Sequence, residues 1–466
     1  MTSTSTEPRT GVKIRPLAVV GLVLVAINLR PAVTSLGPVL EEVRASLGMS
    51  AAVAGLLTSV PAVCFALVGS TAPLLARRWG TGGVIALGTT ALALGLAVRP
   101  FAGGTGSFLA LTALALAGIA LANVLLPVVV KQRFPDRVGA MTGLYSVALN
   151  LGASTAAAVT VPLTAGVFGG DWRLGLGVWA VIAAAALPAW ILLARDRTPS
   201  QPAPSRLTPG ETAPGRRAPG LPTAALLTPG ETASSGTVAD HTRSDLNAPD
   251  RARPGQAVPD PTAPGSIAPV GGGGAGTLQL RRQPIAWALA VYFGLQSTVA
   301  YVIMGWLPQI FRDAGLSART AGLLFAVTAL LGVPLSFVLS ALAGRLPRQS
   351  GVAVLIGLFG IAGYAGLWFD PAAAPWLWVV LLGVANCSFP LVLTMIALRG
   401  RDAATVSRLS AFAQSTGYLL SVPGPIVVGV LYDHTGSWRI PLALLTFLMV
   451  PQMIAGVLAG RDRQIG

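Results

Sequence analysis

Long apolar runs separated by short polar stretches dominate the chain between Pro16 and Gly460. Most runs hold about 20 or more residues, and a helix of that length crosses a hydrocarbon core of about 30 Å. The runs are continuous and rich in Leu, Ala and Gly, whereas the strands of a membrane barrel alternate over about ten residues. Because only helices and closed barrels satisfy their backbone polar groups in lipid, the pattern predicts an all-α membrane protein.

Twelve transmembrane helices are predicted, six on each side of a long polar stretch. The first six cover 16–38, 52–76, 82–100, 107–131, 138–166 and 173–195, and the second six cover 284–311, 319–343, 351–369, 375–398, 404–432 and 438–459. The chain divides into a cytoplasmic tail (1–15), a six-helix half (16–197), a linker (198–280), a second six-helix half (281–460) and a cytoplasmic tail (461–466). The linker is rich in Pro, Gly, Ala and Thr, so it is expected to be a disordered cytoplasmic tether with little apolar surface to bury.

Three landmarks recur in the two halves in the same helix order. Residues 48–57 (GMSAAVAGLL) return as 315–324 (GLSARTAGLL), Asn123 and Pro127 return as Asn386 and Pro390, and Trp172-Arg173 returns as Trp438-Arg439. The repetition predicts two pseudo-symmetric six-helix halves related by an axis along the membrane normal. In carriers built this way the solute site lies near the bilayer midplane, between the halves.

Composition narrows the class of protein. Residues are 53% hydrophobic and 11% charged, and the charged share is less than half the roughly 25% of a soluble domain, which excludes a water-soluble globule. Cys64 and Cys387 lie in separate apolar runs, so no disulfide framework is predicted. The sequence contains no metal-ligand cluster or cofactor motif, and neither a metal nor a cofactor is predicted.

The net charge of +15 would suggest nucleic acid as the partner of a soluble protein, but here the positive residues lie at helix ends. Nineteen Lys and Arg residues fall on one side of the membrane, against Arg44, Arg99, Arg173, Arg312, Arg319 and Arg439 on the other. Cytoplasmic loops collect Lys and Arg, so both termini and the linker are predicted to be cytoplasmic. The predicted partners are the lipid bilayer and a small-molecule solute, with no nucleic acid and no obligate protein partner.

Arg30 is the one ionisable residue that lies clearly inside a predicted span, and an arginine at a helix centre costs about 2.5–3.5 kcal/mol. All 17 Asp and Glu residues fall in loops, tails or helix ends, so no carboxylate partner is predicted and proton coupling through a mid-span carboxylate is disfavoured. One interpretation of Arg30 is an anion receptor, because guanidinium presents a fixed fork of donors. The other is a structural arginine that bonds carbonyls freed by Pro31.

Other polar residues within the spans are weaker candidates. Besides Arg30, the candidate substrate-binding residues are Asn28, Gln296, Tyr292, Tyr145, Tyr301, Gln414 and Tyr418. A structural or gating role is predicted for Arg77, Arg78, Asn123, Pro127, Asn386 and Pro390. For Asn123 and Asn386, an interhelical hydrogen bond and a solute contact are both open interpretations.

Several short segments together resemble a known family. They are NLRP at 28–31, SLGP at 35–38, LEEVR at 40–44, PLLARRWG at 73–80, and FPDR at 134–137 followed by MTGLY at 141–145. This set is similar to the cyanate and 2-nitroimidazole transporter family within the major facilitator superfamily. The resemblance implies a twelve-helix carrier of small, planar, delocalised solutes. Two features depart from the wider superfamily: Arg77 stands where most members have an aspartate, and the fifth span lacks the Gly-Pro signature of proton-driven drug exporters.

The leading hypothesis is a secondary transporter that moves a cyanate-like or nitroimidazole-like solute across the cytoplasmic membrane by alternating access, with Arg30 at the central site. The alternative is a multidrug or toxic-compound exporter of the same superfamily, and a less favoured one is a transport-incompetent membrane sensor whose linker recruits a partner. No enzymatic activity is predicted, because Asp433-His434 has no nucleophile or metal-ligand set beside it. Thirty arginines against two lysines are typical of a GC-rich bacterial genome, and the inner membrane is then the expected location.

Overall fold

A computed structural model of the chain describes residues 11–195 and 282–465. The predicted linker (198–280) and most of the predicted N-terminal tail lie outside these residues. The described part of the first half holds the α-helices Gly11–Asn28, Pro31–Thr34, Leu40–Leu47, Ala51–Val98, Thr105–Arg133, Val138–Gly166 and Trp172–Arg195. The described part of the second half holds Pro284–Asp313, Ala318–Arg345, Ser350–Phe369, Pro375–Ala385, Ser388–Arg399, Ala403–Ser421, Pro423–Thr435 and Arg439–Ala459.

Eleven helical stretches within the described residues are long and apolar enough to cross a membrane. One of them is long enough to cross it twice. It covers Ala51–Phe101, 51 residues, which is about 77 Å at 1.5 Å per residue. One crossing needs only about 30 Å, so this stretch contains both the second and the third span. The chain turns between them at Gly80, whose φ of 77° and ψ of 156° are not helical. The twelve-span prediction is confirmed.

Three spans are interrupted within the membrane. The first span breaks at Leu29-Arg30 and restarts at Pro31, the tenth breaks at Asn386-Cys387, and the eleventh breaks at Val422 before Pro423. Proline lacks an N–H group and its ring clashes with the preceding turn, which explains the restarts at Pro31 and Pro423. Both prolines therefore stand at the first position of the helix that follows the break.

The repeated motif builds the same turn in both halves. Gly48 and Gly315 have φ values of 60° and 89°, a region that glycine adopts without strain. Two residues later, Ser50 and Ser317 cap the following helices: their hydroxyls accept hydrogen bonds from the backbone N–H groups of residues 53 and 320, at 3.2 and 3.1 Å. The duplicated sequence therefore encodes a duplicated entry into the second and eighth spans.

The same motif also builds the contact between the halves, in which the second span packs against the eleventh and the eighth against the fifth. A Cβ atom at Gly55 would lie 2.2 Å from the Pro425 carbonyl oxygen, and one at Gly322 would lie 2.8 Å from that of Ala157. Small residues of this kind let two helix backbones approach closely within a membrane. The two glycines occupy equivalent repeat positions, so the interface between the halves is itself pseudo-symmetric.

The helical bundle has two ends, which we call the terminal face and the distal face. The terminal face holds the helix ends near Arg195 and Pro284, and the distal face holds those near Arg312 and Asp433. At the terminal face the tail that follows the twelfth span pairs with the turn after the tenth span: the N–H of Ile465 donates to the Arg399 carbonyl at 2.7 Å.

Candidate solute cavity between the two halves

A cavity of about 150 Å³ lies between the two halves, deep within the bundle. The first, second, fourth and fifth spans line one side, and the seventh, eighth, tenth and eleventh spans line the other. These two sets are equivalent under the internal repeat, so each half contributes the same four helices. The polar members of the lining are Arg30, Thr34, Asn123, Asn150, Ser297, Tyr301, Thr328, Ser336, Asn386 and Tyr418.

Arg30 reaches the cavity from the break in the first span. Its backbone is turned at φ −114°, and its carbonyl accepts hydrogen bonds from the Val33 and Thr34 N–H groups, both at 3.0 Å. The Thr34 hydroxyl also donates to this carbonyl, at 3.1 Å. These bonds restart the helix directly after Arg30 and hold its backbone against the cavity wall.

Tyr301 and Tyr418 line the same cavity as Arg30, and each brings a phenol group to it. The Tyr418 ring is fixed by two aromatic neighbours: it stacks on Phe65 with ring centres 5.4 Å apart and meets the edge of Phe293 at 5.0 Å. No Asp or Glu is among the residues that line the cavity. Arg30 therefore meets neutral dipoles rather than a carboxylate within its own cavity.

Asn28, predicted to contact solute, does not line the cavity, and this expectation is corrected. Its side-chain amide is buried and donates to the carbonyls of Leu24 at 2.7 Å and Ile182 at 3.1 Å. Asn28 lies two residues before Arg30, which on a helix points it to a different face. The amide therefore fastens the first span to the sixth span.

Gln296 is also corrected, because it lies behind the cavity wall rather than on it. Its amide nitrogen donates to the Asn386 side-chain oxygen at 3.0 Å, and its oxygen accepts from the Gln452 amide at 3.0 Å. Asn386 itself lines the cavity. Gln296 thus orients Asn386, and Gln452 in the twelfth span, which the sequence analysis missed, completes the chain of three amides.

Three further candidates lie away from the cavity lining. Tyr292 packs on the twelfth span, where a Cβ atom at Gly456 would lie 3.0 Å from the ring. Tyr145 is buried in the apolar core of the first half, and Gln414 donates to the Ser410 hydroxyl at 2.7 Å. These residues are buried, as their positions in the middle of the spans indicated. Position along a span does not determine which neighbouring helix a side chain contacts.

The predicted structural or gating residues divide in the same way. Asn123, Asn386 and Pro390 line the cavity, whereas Pro127 does not. Arg77 and Arg78 are exposed at the terminal face, in the turn between the second and third spans. The repeated asparagines thus lie on opposite walls of one cavity.

Arg99, counted above as a positive residue at a helix end, is fully buried. One of its Nη atoms donates to the Ala32 carbonyl at 3.1 Å, and the guanidinium lies 5.6 Å from the centre of the Phe108 ring. The Ala32 carbonyl is available because the first span tightens there: the N–H of Leu36 bonds to Val33 rather than to Ala32. Arg99 therefore anchors the segment that follows Arg30.

Charged residues join the two halves at the distal face. Arg312, at the end of the seventh span, lies 2.8 Å from Glu41 and 2.9 Å from Glu42, and it also donates to the Pro38 carbonyl at 3.2 Å. All three partners belong to the first half. Because Arg312 bonds to two carboxylates and a carbonyl, separating the halves at this face requires several charge-assisted hydrogen bonds to break.

A second distal contact lies between the eleventh and second spans. The Asp433 carboxylate accepts hydrogen bonds from the N–H groups of Ala51 and Ala52, at 2.8 and 2.7 Å. These donors are the first N–H groups of the second span, where the helix dipole favours a negative charge. Arg44 approaches the same carboxylate at 3.8 Å. We refer to Glu41, Glu42, Arg44, Arg312 and Asp433 as the distal lock.

Comparison with known proteins assigns the fold and the family. The sequence profile described as Major Facilitator Superfamily matches residues 22–425, so the chain belongs to that superfamily. The crystal structure of the nucleoside transporter NupG superposes with a TM-score of 0.65, covering 96% of this chain and 99% of that one at 11% identity, which supports the fold alone.

Three sequence relatives align over most of their length. The uncharacterized transporter YycB of Bacillus subtilis is 31% identical, with 96% of this chain and 94% of that protein aligned. The 2-nitroimidazole transporter of Escherichia coli is 29% identical (97% and 98%), and the cyanate transport protein CynX of the same organism is 25% identical (93% and 94%). The resemblance to the cyanate and 2-nitroimidazole transporters is therefore confirmed.

Proposed function

We propose that the protein is a secondary transporter that moves a small, planar, anionic or strongly dipolar solute across the bacterial cytoplasmic membrane by alternating access, and that it catalyses no chemical reaction. Arg30, Tyr301, Tyr418, Asn123 and Asn386 contact the solute. The terminal face is cytoplasmic in this proposal, because it collects most of the Lys and Arg residues of the short loops.

The observation that carries the proposal is a cationic side chain in a cavity whose lining holds no carboxylate. A charge buried without a partner is costly, so a membrane protein that retains one has a use for it. Guanidinium donates in one plane and matches the planar, delocalised charge of carboxylate-like and nitro groups. The Tyr301 and Tyr418 hydroxyls and the two asparagine amides add neutral donors and acceptors around it.

The size of the cavity supports a small solute. Its volume of about 150 Å³ equals that of an engineered protein cavity that takes up one benzene molecule. A five-membered nitroheterocycle or a triatomic anion fits such a space. Aromatic and aliphatic side chains such as Phe65 and Ile119 complete the wall, which suits the flat, apolar faces of a delocalised ring.

The names of two relatives agree with this solute class. 2-Nitroimidazole and cyanate, which those relatives are named for, are both small, planar and delocalised. Export of apolar toxic compounds is a second candidate, favoured by Phe65, Phe325 and Phe389 in the same lining. In that case Arg30 has a structural role, and solute affinity does not depend on its charge.

A binding experiment separates the two candidates. Purified full-length protein is screened by thermal unfolding against cyanate, nitrate, benzoate and 2-nitroimidazole, with Arg30→Gln and Arg30→Lys as matched variants. A ligand at about 100 times its Kd stabilises the folded state by about 2.7 kcal/mol. We expect stabilisation of the unmodified protein, weaker stabilisation of Arg30→Lys and the weakest stabilisation of Arg30→Gln. Equal stabilisation of all three proteins would assign Arg30 a structural role.

The native cysteines offer a test of where the solute binds. Cys387 lines the cavity, whereas the Cys64 thiol faces the Ala113 carbonyl at 3.6 Å and is not part of the lining. In the Cys64→Ser variant, a saturating solute should slow the alkylation of Cys387 by a small maleimide several-fold. In the Cys387→Ser variant, alkylation of Cys64 should not change. Protection of both cysteines, or of neither, would place the solute elsewhere.

A further inference from the structure

We infer that the protein is an anion exchanger: it moves one anion inward for each anion it moves outward, and the unloaded carrier changes its access far more slowly than the loaded one. This inference rests on the proposed function and goes beyond it, because an anion site alone is compatible with net uptake, proton symport or exchange.

The first step concerns charge in the cavity. Arg30 is cationic, and the rest of the polar lining is made of hydroxyl and amide groups, which are uncharged at neutral pH. During alternating access the protein passes through a conformation in which the cavity, with Arg30 inside it, is closed to both faces. In that state solvent screening is weak, and an unpaired charge is disfavoured much more than a paired one.

The second step concerns what can neutralise Arg30. Within residues 11–195 and 282–465, every Asp and Glu lies in a turn, in a short helix or at a helix end. The carboxylates of the distal lock are already bonded to Arg312, to Arg44 and to the backbone of the second span. No side chain of the cavity lining can therefore serve as an internal counter-charge, which leaves the transported anion to supply it.

After releasing its anion, the carrier can return to the opposite face either loaded with a second anion or unloaded. A carrier loaded with a monoanion has a neutral centre, whereas an unloaded carrier must close around a lone guanidinium. The distal lock opens in both cases, so its cost cancels in the comparison. A difference of only about 1.4 kcal/mol between the two barriers gives a ten-fold difference in rate. Exchange should therefore be faster than net uptake by at least that factor.

The neighbours of Arg30 reduce this difference but do not remove it. Tyr301 and Tyr418 share the cavity with the guanidinium, and several water molecules fit in a cavity of about 150 Å³. These dipoles solvate a charge without cancelling it. Proton symport through a cavity carboxylate is not available as an alternative, since the lining has none.

The test is a counterflow assay with the full-length protein in proteoliposomes, using radiolabelled cyanate, nitrate and benzoate as probes. One set of vesicles is preloaded with the unlabelled probe and the other with gluconate, and potassium with valinomycin holds the membrane potential at zero. We expect initial uptake to be at least ten-fold faster into the preloaded vesicles. Imposing a potential should change net uptake into the gluconate vesicles and leave exchange nearly unchanged, since the loaded centre is neutral.

Two outcomes would overturn the inference in distinguishable ways. Protein-dependent uptake at equal rates into both sets of vesicles would reject exchange and leave the proposed anion transport intact. No protein-dependent uptake of any of the three probes in either set would reject the proposed function and exchange together. Arg30→Lys is the matched control: it keeps the charge, so uptake should weaken while the ratio between the two sets of vesicles persists. A ratio close to one in this variant would also count against the inference.

Discussion

At the distal face Arg312 meets two carboxylates across the boundary between the halves, whereas Arg30, deeper along the same boundary, faces a cavity lined without any. Both arginines lie between the same two bodies, but their partners differ. The ion pairs of Arg312 hold the two halves together, whereas Arg30 has no carboxylate partner in the cavity lining. In the proposed function the distal lock keeps one face closed, and Arg30 binds the solute.

The two halves are in contact at the distal face. The distal lock and the close approaches at Gly55 and Gly322 hold the halves together on the distal side of the cavity. At the terminal face, Arg77 and Arg78 are exposed near the turn between the second and third spans.

Replacing Arg30 with Gln should have the largest effect on transport. A hydrogen bond to a charged group contributes about 1.5–3 kcal/mol, which corresponds to a loss of roughly 10- to 150-fold in solute affinity. Uptake of cyanate into proteoliposomes measures the loss, and the unfolding temperature without ligand serves as the control for folding. Transport by Arg30→Gln within two-fold of the unmodified protein would remove Arg30 from the solute site.

The Gly55→Ala substitution should come next, because its Cβ would lie 2.2 Å from a backbone carbonyl that has no room to move aside. Overpacking of this kind costs about 1–3 kcal/mol, and here it should disfavour the closed distal face. The readout is alkylation of a Thr58→Cys reporter by a bulky maleimide in a variant lacking both native cysteines, since Thr58 is buried between the halves beside Gly305.

The two glycine positions offer an internal comparison for this prediction. Gly322→Ala, with a contact of 2.8 Å, should increase reporter alkylation less than Gly55→Ala. Gly143→Ala in the fifth span is the matched control, because a Cβ there would meet nothing within 4 Å. If all three substitutions behaved alike, the effect would come from helix propensity and not from the interface.

Replacing Arg312 with Gln should loosen the distal lock moderately. Its side chain is 18% exposed and Glu41 is 51% exposed, so solvent screening limits the pair to about 1 kcal/mol, or roughly five-fold in reporter alkylation. High salt should reduce the difference between variant and parent, since exposed charges are screened. Cyanate affinity should stay within two-fold. A large loss of affinity without a change in alkylation would mean that Arg312 belongs to the solute site.

Arg44→Gln should give the smallest effect. Arg44 approaches Asp433 at 3.8 Å, but that carboxylate keeps two backbone hydrogen bonds without it. We expect a change of less than two-fold in reporter alkylation, corresponding to a few tenths of a kcal/mol for a partly exposed pair at this distance. The companion variant Asp433→Asn should have the larger effect, because it removes the charge that the start of the second span favours.

Much of the fold was predictable because the membrane restricts the choices. Apolar run length gave the spans to within a few residues, and the repeat gave the pairing of the halves. The sequence identified Arg30 for the same reason: a charge inside a long apolar run stands out against its surroundings. Of the weaker candidates, Tyr301 and Tyr418 line the cavity beside Arg30, with Asn123 and Asn386.

The failures share a physical cause. Asn28, Gln296 and Tyr292 lie at the expected depth, but a span buried on most sides has no polar face to show which neighbour each residue meets. Arg99 lies at a helix end, as its position in the sequence indicated, but its burial against Ala32 and Phe108 could not be read from the sequence. Depth in the membrane is encoded locally, whereas direction around the helix axis depends on other helices.

Hydrophobicity and spacing along one chain were enough to predict the twelve spans, the duplication and an arginine at mid-span, Arg30. The packing of the helices determines which amides reach the cavity. It also brings Gln296 to Asn386, and it joins the halves through Arg312 and Asp433. These contacts join residues up to 382 positions apart, and such pairings are fixed by how the helices pack together.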